Sequence, residues 1–329
     1  MLTGTLWPAH PHPYQGECLS SWIVRCAHAN GLKEQTFCDR VFGKEYQIWN
    51  RDIDRTAPDW LIDIMSQKTA TPRKLVLDTT CRLYEGRLFP SLHHCSQLRW
   101  VTPVKHRGRM IKGYAMQYCP CCLSEDSESY YRLAWRLALH TFCPIHEVMM
   151  HDRCYSCGSP VEFHRIELGR PNKVEVESLD CCWKCKGRLS EAPTTKPTIP
   201  KSTYQLWKRG LGAIDRQFID SGPINYNRIT LVHQICRLLI SKKHAPRLQG
   251  HICVQSGLPY RKLKKGSPLF EQRELEERHY ILQLAWWLVG RNFSKLKYAL
   301  SVKAFRVNEI YKDLGISFKI LILNDFMGR

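Results

Sequence analysis

Cysteine clustering is the feature of this sequence that most constrains its fold. Nine of the sixteen cysteines lie between Tyr118 and Cys185, within a chain of 329 residues. Two ligands three residues apart on a tight turn can reach one metal ion, and a second such pair completes a tetrahedral site. The stretch contains four such pairs: Cys119 with Cys122, Cys143 with His146, Cys154 with Cys157, and Cys182 with Cys185.

Pairing neighbouring knuckles predicts two zinc sites. The first would use three cysteines and a histidine, and the second four cysteines. Four protein ligands leave no open coordination position, so we expect structural rather than catalytic zinc, two ions per chain. Cys121 and Cys181 are left over, and either could replace the cysteine next to it if the turn geometry differs.

A disulfide framework, or buried thiols acting as small apolar residues, is the alternative interpretation of these cysteines. Disulfides suit small secreted proteins, whereas this chain is long and residues 1–15 lack the basic and apolar parts of a signal peptide. The longest apolar run, Tyr280 to Val289, is too short to span a bilayer. We therefore expect reduced thiols and a cytoplasmic protein without a membrane partner.

The chain is strongly basic, with a formal net charge of +19. Zinc-bound thiolates would remove only a small part of this charge. Such a surplus favours a polyanionic partner, which in practice means DNA, RNA or a nucleoprotein, although a solvated basic surface would have the same composition.

Before the cysteines, the pattern predicts a helical domain with a helix-turn-helix. Asp59 to Gln67 has helical spacing, and Thr71 with Pro72 opens a second helix that runs to about Tyr84. Early residues of a recognition helix meet the DNA groove, which makes Arg73 and Lys74 candidate nucleic-acid contacts. A helical hairpin that only holds the domain together would look the same.

A basic hairpin is predicted from Val104 to Tyr114, turning at Gly108. Its cations suit phosphate contact, but a solvated hairpin tip would have the same sequence. The candidate contacts here are Lys105, Arg107 and Arg109.

Between the first two knuckles, Ser129 to Phe142 reads as a helix with an aromatic stripe inside and a basic row of Arg132, Arg136 and His140 outside. After a linker from Pro193 to Pro200, the pattern predicts further helices. They cover Ser202 to Asp215, Tyr226 to Ser241, Leu269 to Gly290, and Ser294 to Ala299.

Together these patterns predict a mainly α fold with a small β content. The expected domains are an N-terminal helical domain at 1–117, a double zinc-knuckle domain at 118–192 and a helical C-terminal domain at 193–329. Trp286 and Trp287 read as core or dimer interface. A weaker pattern from Val307 to Leu314 could be half of a second helix-turn-helix.

The order of several motifs resembles the TniQ family of transposon target-selection proteins. The resemblance covers residues 8 to about 190. It is carried by Pro11, Pro13, Gly16 to Arg25, Tyr118 to Leu123, Tyr130 to Arg136, Cys143 to His146, and Cys154 to Gly158.

The resemblance implies an adaptor without catalytic chemistry. Members of the family choose an insertion site and recruit an AAA+ ATPase that engages the transposase. Some read DNA directly, and others dock on a CRISPR surveillance complex, often as a homodimer. The eight knuckle residues would be the zinc ligands, while the doubled cysteines at 121/122 and 181/182 depart from the family pattern.

Three functional hypotheses follow. The first is a CRISPR-associated transposition adaptor, and the second is a sequence-specific DNA-binding targeting protein. The third is a zinc-dependent nuclease or another enzyme that carries basic patches. The sequence has no phosphate-binding glycine loop for ATP hydrolysis and no nucleophile elbow. It has only 30 acidic residues, whereas a two-metal nuclease site needs several convergent carboxylates. We therefore expect no enzymatic activity.

Overall fold

The computed structural model of the chain describes residues 4–92, 97–104, 114–167, 177–216, 224–264 and 269–311. Twelve α-helices lie within these ranges. They are α1 Leu19–Ala29, α2 Glu34–Phe42, α3 Ile53–Thr56, α4 Asp59–Thr69, α5 Arg73–Asp78, α6 Pro120–Glu125, α7 Lys201–Asp215, α8 Tyr226–Ile240, α9 Ala245–Ser256, α10 Leu275–Val289, α11 Ser294–Ser301 and α12 Val307–Tyr311.

The predicted fold class, mainly α with little β, is confirmed for the described residues. Their β structure consists of isolated antiparallel bridges rather than strands. None of their helices is long and apolar enough to cross a bilayer. Short 3-10 helices connect several elements: Ile48–Asn50, Cys81–Tyr84, Leu133–Arg136, Phe163–Arg165, Leu189–Glu191 and Phe270–Gln272.

The chain divides into two compact units. The first contains Met1–Glu85 and Ser91–Lys196, and the second contains Gly86–Pro90 and Pro197–Arg329. The first unit thus includes both the helical region and the cysteine-rich region that the sequence assigned to separate domains. The boundary at 117/118 stays a prediction.

The helical core of the first unit forms around α1. Leu19, Trp22, Ile23 and Cys26 recur at helical spacing and are completely buried. The chain leaves the helix at Asn30 and turns at Gly31, whose φ of +64° lies in the left-handed region that glycine adopts without strain. Residues of α2 and α4 complete this core, including Phe37, Leu61 and Met65.

The two segments of the predicted helix-turn-helix are present as α4 and α5, joined through Ala70 in the left-handed conformation. The second helix is shorter than predicted, because it ends at Asp78 rather than near Tyr84. The Thr79 and Thr80 hydroxyls donate to the carbonyls of Val76 and Leu77, which competes with continued helical bonding. That this pair acts as a DNA-binding motif stays a prediction.

The prediction of a helix from Ser129 to Phe142 is wrong. Only Leu133–Arg136 is helical, as a single 3-10 turn. The flanking backbone instead bonds to distant segments: Leu133 N donates to Gly16 O at 2.8 Å, and Ala138 N donates to Trp100 O at 2.6 Å. These tertiary bonds override the good helix propensity of the segment.

In the second unit, α10 is the central element. It contacts α7, α8, α9 and α11, and most of its residues are buried. The helix begins at Leu275, later than predicted, because the preceding turn at Phe270–Gln272 is 3-10. The sequence did not predict α9. The second helix-turn-helix prediction falls on α12 and on residues 312–314, which lie outside the described ranges.

Candidate metal centres

The first predicted ligand set comes together as one cluster. The ligand atoms of Cys119, Cys122, Cys143 and His146 all lie within 4.8 Å of one another. Cys119 precedes α6, Pro120 occupies the first helical turn, and Cys122 follows on the same turn. Cys143 and His146 lie on a tight turn between the bridged residues Phe142 and Met149. A helix start and a hairpin therefore supply two ligands each.

The separations within this first cluster fit a tetrahedral zinc ion. The Sγ atoms of Cys122 and Cys143 are 3.7 Å apart. His146 Nδ1 lies 3.3 Å from the Sγ of Cys122 and 3.5 Å from the Sγ atoms of Cys119 and Cys143. Zinc bonds to sulfur and nitrogen in a regular tetrahedron would give edges of about 3.8 Å and about 3.6 Å. The donor set and its dimensions therefore suit zinc.

A carboxylate that the sequence analysis missed orients the histidine. His146 Nε2 lies 2.9 Å from Glu125 Oε2 at the end of α6. Metal-bound histidines commonly donate their second ring N–H to a carboxylate, which fixes the tautomer. Glu125 thus leaves Nδ1 available as the ligand atom. The sequence signal that could have indicated Glu125 is its position three residues after Cys122, about one helical turn further along α6.

The second cluster contains Cys154, Cys157, Cys182 and Cys185, again with all ligand atoms within 4.8 Å of one another. Cys154 Sγ is 3.6 Å from Cys185 Sγ, and Cys157 Sγ is 3.7 Å from Cys182 Sγ. Both distances match a tetrahedral edge between thiolates bound to zinc. Cys185 is exposed, so this cluster is closer to solvent than the first.

Three of the four knuckles share one backbone design. In each, the first cysteine donates its N–H to the carbonyl five residues on and accepts from the N–H four residues on. The residue four positions after the first cysteine has positive φ: Glu147 at +57°, Gly158 at +69° and Lys186 at +63°. Only one of the three is glycine, which indicates that the turn is imposed on the other two residues by the surrounding bonds.

In both cysteine doublets it is the second cysteine that joins a cluster. Cys121 and Cys181 lie outside both groups. Cys181 pairs by a β-bridge with Arg188, so its side chain points away from the turn that carries Cys182. The structure therefore brings together the eight residues that the sequence favoured. That they hold a metal, and that the metal is zinc, are proposals.

Buried charges connect the helical core to the cysteine-rich region. Arg136 is 2% exposed and donates to both Asp52 and Asp54, at 2.7 Å and 3.0 Å for the closest pairs. Asp54 also accepts from the backbone N–H and hydroxyl of Ser20 in α1. The predicted exposed basic row is therefore wrong, since Arg136 and His140 are both buried. The sequence analysis also missed the two aspartates.

A second charged group lies at the start of α1. Arg25 donates to Glu17 and to Glu128, at 2.8 Å in both cases, and its guanidinium lies 3.9 Å from the centre of the Tyr14 ring. Glu17 is fully buried, and this burial raises its pKa to about 7 despite the opposing charge of Arg25. The backbone of Glu17 also bridges to Arg132.

Two of the motifs that carry the family resemblance, Gly16 to Arg25 and Tyr130 to Arg136, contact each other directly, and we call them the first and second motif blocks. Ser21 Oγ, from the first block, accepts a hydrogen bond from the backbone N–H of Tyr131 in the second, at 3.0 Å. Cys18 N donates to Tyr131 O at 2.9 Å. These contacts give the helical core and the first metal cluster a fixed relative position within the first unit.

Of the five predicted nucleic-acid contacts, only Arg73 and Lys74 lie within the described residues. Arg73 is exposed but lies in ion pairs with Asp63 at 2.7 Å and Asp59 at 3.1 Å. Lys74 is exposed at the start of α5. Lys105, Arg107 and Arg109 lie outside the described residues. That these five residues contact nucleic acid stays a prediction.

Fold and site together define a mainly helical protein with two cysteine-rich clusters suited to metal. Residues 8–150 match the TniQ family model. The match includes both motif blocks and the whole first cluster, whereas the second cluster lies beyond it. Over this segment the chain is similar to the TniQ family, and the match supports a TniQ-family transposition protein. No curated protein matches the chain.

Proposed function

We propose that this protein is a non-catalytic adaptor that selects target sites for transposition. In this proposal it docks on a guide-RNA surveillance complex bound to DNA and recruits the AAA+ ATPase that regulates transposition. The observation that carries the non-catalytic part is the composition of the two clusters. Each offers four protein ligands, which complete a tetrahedral zinc ion and leave no position for a substrate or water.

Zinc would be the structural cofactor of this adaptor, with two ions per chain. Cys119, Cys122, Cys143 and His146 would hold the first ion, and Cys154, Cys157, Cys182 and Cys185 the second. Bound zinc would crosslink α6 and the three turns that carry the other ligands. The chain would then present a rigid first unit to its partners.

The nature of the partner rests on the family match and on charge. A net charge of +19 favours a nucleic acid or a nucleoprotein over an acidic or neutral protein surface. Docking on a guide-RNA complex would leave target choice to base pairing, so the adaptor itself would need no recognition helix.

The alternative is a targeting protein that reads DNA directly through Arg73 and Lys74. The left-handed turn at Ala70 between α4 and α5, together with the exposed Lys74, favours this reading. The pairing of Arg73 with Asp59 and Asp63 opposes it, because these carboxylates would repel phosphates and would have to release the guanidinium. We therefore prefer the docking adaptor.

Binding assays at physiological salt would separate the two. The adaptor proposal predicts capture of the surveillance complex encoded beside the protein, and equal affinity for target and random duplexes. Direct reading predicts a preference of about 10³-fold or more for the target duplex. Such a preference, lost in Arg73→Ala and Lys74→Ala, would overturn the adaptor proposal. Unchanged affinity in these variants would support it.

A further inference from the structure

A pocket in the second unit is not used by the proposed function. It has a volume of about 350 Å³ and lies between the start of α7, the end of α10 and the start of α11. A volume of this size falls at the lower end of small-molecule sites. Its rim carries Gln205, Arg209, Trp287, Arg291, Asn292 and Lys295. We call it the α7/α10 pocket.

The charge of this pocket is entirely positive. Arg209, Arg291 and Lys295 line it, and no acidic residue does. Within the described chain, none of these three cations takes part in an ion pair. Partial burial lowers the pKa of Lys295, with no carboxylate to offset the desolvation. Arg209 and Arg291 are exposed and Lys295 is half-buried. Three cations that line one pocket without an acidic residue favour an anionic ligand.

The pocket also has an aromatic wall. Trp286 is 1% exposed and packs against Gly210 of α7, where an added Cβ would lie 2.6 Å from the Trp286 ring. Trp287 is half-buried, and the Lys295 ammonium lies 4.1 Å from the centre of its ring. Bases of single-stranded nucleic acid stack on aromatic side chains of this kind, and neighbouring cations add to the binding.

Arg228 fixes the backbone turn that carries Arg291 and Asn292. The buried Arg228 guanidinium donates to the carbonyls of Gly290 and Arg291, at 2.9 Å for the latter. Gly290 has a φ of +55°, which allows the chain to leave α10 sharply. The cations at this end of the pocket therefore project from a fixed backbone.

We propose that the α7/α10 pocket binds one unstacked nucleotide, with its phosphate among Arg209, Arg291 and Lys295 and its base against Trp287. The inference goes beyond the proposed function and does not depend on it, since the pocket lies outside the segment that matches the family. The aromatic wall favours a nucleotide over an acidic peptide, because a carboxylate has no face to stack. The nucleotide could belong to a single strand or be free.

Fluorescence anisotropy with labelled oligo(U), oligo(dT) and a duplex of equal length tests this proposal on the full zinc-loaded chain. We expect both single strands to bind more tightly than the duplex. Trp287→Ala should weaken strand binding about tenfold, and Trp287→Phe should restore most of it, because a base still stacks on phenylalanine. Thermal unfolding of each variant checks that the second unit is intact.

A matched pair of charge variants separates the pocket from diffuse attraction. The triple variant Arg209→Ala, Arg291→Ala, Lys295→Ala should lose more than tenfold in affinity. The control Lys242→Ala, Lys243→Ala, Arg247→Ala removes the same charge from exposed positions of the same unit. A small effect of the control supports the proposal. Equal losses in the two variants, or no effect of Trp287→Ala, would overturn it.

Competition identifies the source of the nucleotide. Displacement of the strand by uridine monophosphate at comparable concentration would assign the pocket to a free nucleotide. Weak displacement would assign it to a residue of a strand. Displacement by a poly-glutamate peptide as effective as that by unlabelled oligo(U) would refute a nucleotide site. This assay uses no surveillance complex, so its failure leaves the adaptor proposal unaffected.

Discussion

The two units of this protein are stabilised in different ways. The second unit is an assembly of helices around α10, with a core of residues such as Trp207, Ile281 and Leu282. The described residues of the cysteine-rich part of the first unit, 114–167 and 177–196, contain few helices, and ligand clusters and buried ion pairs add to their apolar packing. An apolar core tolerates many single substitutions with a small loss of stability. A ligand set or a buried charge network loses most of its stabilising effect when one member is removed.

The largest expected effect that would sharpen this comparison is loss of a metal cluster. Cys122→Ser should unfold the cysteine-rich region and leave the second unit helical, because structural zinc contributes roughly 10 kcal/mol or more of folding free energy in small domains. Hydrogen exchange read separately on the two units measures this.

Cys121→Ser is the matched control for the metal prediction. Cys121 adjoins Cys122 but lies outside the cluster, so its substitution should leave exchange unchanged. Equal effects of the two substitutions would show that the region does not depend on this ligand set.

The next effect concerns the buried ion pairs of the first unit. Arg136→Met should cost about 3–5 kcal/mol, because the buried Asp54 and the partly buried Asp52 would stay near one another without their cation. Arg73→Met removes an arginine that also contacts two carboxylates, but on the surface, so little loss of stability is expected. Denaturant unfolding monitored in the first unit gives both values, and similar values would contradict the account.

A steric test applies to the second unit. Gly210→Ala should destabilise it by about 1–3 kcal/mol, because the new methyl group would collide with the Trp286 ring. Gly250→Ala, in the interior of α9, meets nothing within 4 Å and should stabilise the same unit by about 0.5–1 kcal/mol. Thermal unfolding of the two variants should shift in opposite directions. Shifts in the same direction would show that helix propensity dominates over packing here.

The smallest expected effect is a pH dependence from Glu17. Its folded-state pKa of about 7 lies above the usual value, so the folded state holds the proton more strongly and this contribution to stability falls as the pH rises through 7. Relative to Glu17→Gln, the wild-type protein should lose about 1 kcal/mol between pH 6 and pH 8. Denaturant titrations at the two pH values, with zinc present, measure it. A rise would contradict the raised pKa.

The sequence predicted the cluster membership because knuckle spacing is a local property. Two ligands three residues apart must share a turn, and the order of the knuckles left one simple pairing of neighbours. The doublets at 121/122 and 181/182 were undecided, since the choice depends on which side chain the turn directs inward. The α1 and α2 helices have equally local signals, because each is followed by a glycine, Gly31 and Gly43, that ends the helical pattern.

The segment from Ser129 to Phe142 could not be predicted in this way. Its residues favour a helix, but its backbone bonds to residues more than a hundred positions away, and Arg136 reaches aspartates in α3 and just before it. Single-sequence periodicity carries no information about such partners. The α7/α10 pocket was missed for a related reason: Trp287 lies in an apolar run, and its exposure depends on where α7 and α11 pack.

The most direct test of the account is zinc analysis combined with zinc-edge X-ray absorption on the purified full chain. The account predicts two zinc ions per chain, with four-coordinate shells that together contain seven sulfurs and one imidazole nitrogen, as the two ligand sets require. A folded chain without zinc, or shells that contain water oxygen in place of a cysteine, would contradict the claim that two closed metal centres hold this region together.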